Sequence, residues 1–100
     1  MAVVEVSIVP LGTGSPSVSK HVARAIKVLQ EEPELKHAPT AMGTIIQGDL
    51  DSILKVVRKM HETAFNEEVM RVVTTIKIDD RRDKELSIDG KLSSLERELG

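Results

Sequence analysis

Cysteine, tryptophan and tyrosine are all absent from the chain, and Phe65 is its single aromatic residue. Without thiols there are no disulfides, thiolate metal sites or cysteine nucleophiles. With one aromatic side chain there is neither a stacking platform for nucleic-acid bases nor an aromatic cage for a cation. Charge of one sign is lacking too. Lys and Arg number 14 against 16 Asp and Glu, a formal net charge of −2, so the basic stripe that binds nucleic acid is missing and no nucleic-acid partner is expected. No apolar run approaches the ~18 residues of a membrane span, so no membrane partner is expected. The opening MAVVEVSIVP carries Glu5 and no basic leader region. It is not read as a secretory signal, and a cytoplasmic location is expected.

What is present is a 100-residue chain, 40% hydrophobic, the length of one compact domain, 1–100. Ala2 to Val9 alternates: Val4, Val6 and Ile8 share one face of a strand, and Val3, Glu5, Ser7 and Val9 share the other. Ser15 and Pro16 suit a helix start, and Val18, Val22, Ala25, Ile26 and Leu29 follow helical spacing until Pro33. Leu35 to Met42 reads as a weak strand, placed at an edge or bulged by Pro39. Gly43 precedes a second short strand, Thr44 to Gln47, and Asp49 can cap a helix whose apolar stripe is Leu50, Ile53, Leu54, Val57, Met60 and Ala64. Val69 to Ile78 is the longest strand, with Arg71, Val73, Thr75 and Lys77 on its second face. Ile88, Leu92, Leu95 and Leu99 mark a short C-terminal helix.

The order β-α-β-β-α-β predicts an α+β, ferredoxin-like sandwich: a four-stranded antiparallel sheet with two helices on one face, plus the short C-terminal helix. Such a sheet leaves one face bare, where Val3, Ser7, Val9, Val73 and Thr75 fall, with Thr44 and Ile46 or their neighbours according to register. An exposed antiparallel face is usually polar. This one is about half apolar, which predicts packing against a second copy and a homo-oligomer.

Several residue groups are candidates for chemistry. Pro10 to Lys20, PLGTGSPSVSK, has neither the spacing nor the lysine of a phosphate-binding Walker loop. It also lacks the third glycine of a dinucleotide fingerprint, having Ser17 there. It remains a strand-to-helix turn whose Thr13, Ser15 and Ser19 hydroxyls can hydrogen-bond a polar ligand or an anion. In the run Asp79, Asp80, Arg81, Arg82, Asp83, Lys84 the interleaved arginines neutralise the carboxylates. That favours surface or inter-subunit ion pairs, or an anion site, over metal binding or acid–base catalysis. His21, His37 and His61 show no metal-ligand spacing, and Met42, Met60 and Met70 read as core filler. No metal and no cofactor is expected. An acyl-phosphate hydrolase, another tenant of this fold, would need an arginine in the Pro10–Ser19 loop, which has none.

Three segments together carry a resemblance: EVSIVPLGT near the start, AMGTIIQGDLD in the middle and RVVTTIKIDDRRDK near the end. They are similar, in order and over nearly the whole chain, to a formerly uncharacterised family of proteins of this length, now described as thiamine-binding. The resemblance implies a ferredoxin-like fold, non-enzymatic ligand binding, and dimers paired into tetramers. Thiamine has an aminopyrimidine, a cationic thiazolium and a hydroxyethyl tail. Ser7, Thr13, Ser15, Ser19, Thr44, Gln47 and Thr75 are candidate hydrogen-bonding partners. The family commonly has glutamate where this chain has Gln47, so the carboxylate for the cation would be Glu5, or the ligand would be a neutral pyrimidine. The alternative function is an anion-responsive oligomeric module, with a basic inter-subunit site at Arg81, Arg82 and Lys84.

Overall fold

The computed structural model describes residues 1–12, 14 and 19–100. The elements run β1 (Ala2–Leu11), α1 (Ser19–Gln30), β2 (Lys36–Pro39), β3 (Thr44–Gly48), α2 (Leu50–Thr63), β4 (Arg71–Asp80) and α3 (Ile88–Leu99). The expected helix start at Ser15, Pro16 and Val18 lies outside the described residues. The sheet order is β2-β3-β1-β4, every pairing antiparallel. This is the ferredoxin-like α+β arrangement, and β2, which contains Pro39, is an edge strand as proline requires.

Alternation decides which side of the sheet is dry. Ala2, Val4 and Val6 of β1 and Ile46 of β3 form one buried cluster with Ala25 and Leu29 of α1 and Ile53, Val56, Val57 and Met60 of α2. Helix α2 starts where Asp49 accepts a hydrogen bond from the Ser52 N–H at 3.1 Å, satisfying one of the donors that a helix start leaves over. β4 begins two residues later than the sequence pattern suggests. Asn66 Oδ1 accepts from the Glu68 and Val69 N–H groups at 2.8 and 2.9 Å, which keeps those residues in a turn.

The outer face is not uniformly bare. The register aligns Lys36, Gln47, Val3 and Asp79 in one row across all four strands, and the first turn of α3 is fastened to that row. Gln47 Oε1 accepts from the Ile88 N–H at 3.0 Å, Lys36 pairs with Asp89 at 2.6 Å, and Lys91 pairs with Asp79. Val3, expected on the bare face, is therefore buried, at 8% exposure. Beyond that turn α3 leaves the sheet: Leu92, Leu95 and Leu99 are exposed, as are Val9 and Val73 at the far end of the outer face. The methionine expectation needs a correction. Met60 is core, but Met42 in the β2–β3 turn and Met70 before β4 are 85% and 84% exposed, because both stand outside the strands that face the helices.

Candidate functional site

Strand lengths create the site. β4 pairs with β1 along all ten residues, whereas β3 pairs only from Ala2 to Val6. From Ser7 onward the β3 side of β1 has no neighbouring strand among the described residues. Residues 40–43, the link from β2 to β3, fold back beside this gap. The Thr40 hydroxyl donates to the Gly43 carbonyl at 3.0 Å and accepts from the Met42 and Gly43 N–H groups at 3.3 and 3.1 Å. Glycine is required at the close of the turn, since a Cβ at Gly43 would stand 2.8 Å from the Val6 carbonyl oxygen.

The turn, the free edge of β1, and His21, Val22 and Ala25 of α1 enclose a cleft of about 280 Å³ floored by Met60 and Ala64. That is near the small end of the ~300–1,000 Å³ common for small-molecule sites. Its walls are mostly aliphatic, with Ser7, His21, Thr40 and Thr44 as the polar side chains. Thr44 and Ile46, one of the two register options for the bare face, are instead buried on the helix side of the sheet, because they pair with the inward-facing Val6 and Val4; their neighbours Ile45 and Gln47 take the outer positions. His21 Nδ1 lies 3.1 Å from Arg24 Nη2. A guanidinium only donates, so in this contact Nδ1 is the acceptor. None of the lining residues is Asp or Glu.

Of the candidate ligand residues, Ser7 and Thr44 line this cleft. Thr13 and Ser15 lie outside the described residues, and Ser19 is the first residue of α1. The other three sit on the outer face. Thr75 is opposite Ser7, and Gln47 is engaged in holding α3. Glu5 lies with its Cγ alongside Gly43 and its carboxylate 3.9 Å from Lys77. Residue-by-residue reading missed His21, Val22, the 40–43 turn and the free edge of β1. A ten-residue strand followed by one half as long was the available signal.

The charged run is largely paired within the chain. Arg81 donates to both Asp83 oxygens at 2.5 and 2.9 Å, Arg82 pairs with Asp80 at 3.2 Å, and Asp79 holds Lys91. The bond from Arg81 keeps the Asp83 carboxyl below its ordinary value. Lys84 lines a shallow groove along α3 with Arg81, Lys91 and Arg97. Two of those four cations already hold carboxylates. Among the described residues no three His, Asp or Glu side chains gather as metal ligands, and no helix is long and apolar enough to cross a membrane.

Comparison with known proteins supplies the relationship. The chain is 41% identical to the UPF0045 protein YqgV of Bacillus subtilis over 102 aligned residues, covering 99% of this chain and 98% of that one. It is 50% identical to the UPF0045 protein MJ1052 of Methanocaldococcus jannaschii over 93 residues, covering 93% and 90%. The crystal structure of MJ1052 superposes with a TM-score of 0.87 at 49% identity, covering 94% of each chain. A protein of Thermotoga maritima, TM0486, shares the fold with a TM-score of 0.76 at 19% identity, covering 94% of this chain and 97% of that one. Residues 4–96 match the family described as thiamine-binding protein, and the chain belongs to that family.

Proposed function

We propose that the protein is a non-enzymatic binder of thiamine or a related aminopyrimidine, and that it acts as a homo-oligomer. The observation that carries the reading is the cleft beside β1. It has aliphatic walls sized for a small heterocycle and a few polar groups, in a chain whose family is described as thiamine-binding. The Thermotoga neighbour, whose proposed role is in thiamine biosynthesis or salvage, agrees with it. The lining offers no carboxylate to a cation. The pyrimidine therefore enters, and the thiazolium stays at the solvent-facing mouth; Glu5, on the outer face beside Lys77, does not line the cleft.

Self-association is supported by two apolar surfaces left exposed among the described residues: the Leu92, Leu95 and Leu99 stripe of α3, and Val9, Leu11 and Val73 on the outer sheet face. Calorimetric titration with thiamine and with its 4-amino-5-hydroxymethyl-2-methylpyrimidine half tests the ligand. Heat with both is expected, and Thr44→Val should weaken binding about fivefold through loss of a buried polar partner. Silence with both ligands, together with no thermal shift, would refute the reading.

A further inference from the structure

The cleft meets β1 edge-on. Val6, Ser7, Ile8 and Val9 all line it, although successive side chains of a strand point to opposite faces. What four consecutive residues can share on one side is their backbone edge. Two independent observations identify the residue whose peptide groups face the cleft. The Val6 carbonyl oxygen lies against Gly43, so Val6 directs its N–H and C=O toward β3. By the alternation of an antiparallel ladder so does Ile8, two residues on. Pro10, on the same alternation, sits inside the β1–β4 ladder opposite Val72. A residue lacking an N–H is accommodated there because that N–H would have pointed away from β4. Both observations put the N–H and C=O of Ile8 on the side where β3 has already ended, its last partner being Val6.

Resting on the reading of this cleft as a ligand site, we propose that the ligand is held by the Ile8 backbone. The N–H donates to a ring nitrogen, and the C=O accepts from an amino group on the adjacent carbon. The pair selects flat aza-heterocycles that carry this amidine edge. The pyrimidine of thiamine has it, in a ring nitrogen beside the 4-amino group, and the thiazolium does not. Ring insertion thus follows from hydrogen-bonding geometry as well as from the uncharged lining. Val22 and Met42, on the helix and turn walls, are left to cover the ring faces. The Thr40 hydroxyl is committed within its own turn, so ring substituents meet Ser7, Thr44 or the His21 ring.

The test uses ¹⁵N-labelled full-length protein and three probes: thiamine, its hydroxymethylpyrimidine half, and the same pyrimidine without the 4-amino group. The Ile8 amide is expected to shift on titration with the first two, and its hydrogen exchange to slow about tenfold or more as it gains a partner. The deaminated probe is expected to bind about tenfold or more weakly, because it leaves the Ile8 carbonyl unpaired. Ile8→Pro removes the cleft-facing donor and leaves the β4 ladder intact, so it should abolish the preference for the aminated probe. The amide readout on the unaltered chain stands if that variant fails to fold. Binding in which the Ile8 amide stays unmoved, or equal affinity for both pyrimidines, would overturn this assignment while sparing the ligand-binding reading. Absence of binding by all three probes would take down both.

Discussion

Gly43→Ala is the sharpest perturbation of the wall between the turn and β1. A Cβ added there would stand 2.8 Å from the carbonyl oxygen of Val6. That distance is well inside van der Waals contact, and the atom it meets is backbone locked in the β1–β3 ladder. Relief requires the turn to move, or the Val6–Thr44 pairing to open. Overpacking of this kind typically costs about 1–3 kcal/mol. Reduced freedom of the unfolded chain returns about 0.4–1 kcal/mol of that. The net expectation is about 1–2 kcal/mol of destabilisation. At ~4–8 °C per kcal/mol for a domain of this size, Tm should fall by roughly 5–15 °C. The assay is thermal or urea unfolding at fixed protomer concentration, since association shifts apparent stability. Ala41→Gly in the same turn is the control and should change stability by less than about 1 kcal/mol. A neutral or stabilised Gly43→Ala protein would mean that the turn does not approach β1 closely, and the cleft would lose one wall.

Three further outcomes are expected. Gln47→Ala removes the acceptor that holds the Ile88 N–H at 3.0 Å. It should cost about 1 kcal/mol and speed exchange of the Ile88 amide; unchanged exchange would contradict the docking of α3 on the outer face. Asp83 should titrate below an ordinary aspartate when followed by NMR, because Arg81 hydrogen-bonds its charged form, and Arg81→Ala should bring it back up. A folded-state value below the unfolded one means that the pair's stabilisation is present near neutrality and is lost as pH falls through the folded value. Its exposure keeps the effect on overall stability small. Leu95→Ser on the exposed face of α3 should shift light scattering toward smaller species and leave the protomer's fold unaltered by circular dichroism; an unchanged mass would remove α3 from the association surface.

Local pattern was enough for most of the fold. The alternation of β1, the Asp49 cap and the apolar stripe of α2 reflect short-range requirements of strands and helices, and the structure repeats them. Val3 shows where that kind of reading stops. Alternation puts it on the outer face, which is correct, but its burial comes from a helix more than eighty residues downstream. No local signal reports where that helix docks. Gln47 looks like a ligand residue in its own segment, and its role as an anchor for Ile88 exists only once the chain is folded. The cleft has the same origin. It is a gap left by unequal strands, lined by the backbone of β1, and backbone carries no sequence signature apart from Pro10, whose missing N–H marks the side that β4 does not use.

A crystal structure of the chain grown with thiamine would show where the ligand sits. The pyrimidine ring is expected in the cleft between α1 and the 40–43 turn, its amino edge against Ile8 and its thiazolium at the mouth. Thiamine lying instead on the outer sheet face by Gln47 and Thr75, with the cleft holding only solvent, would contradict it.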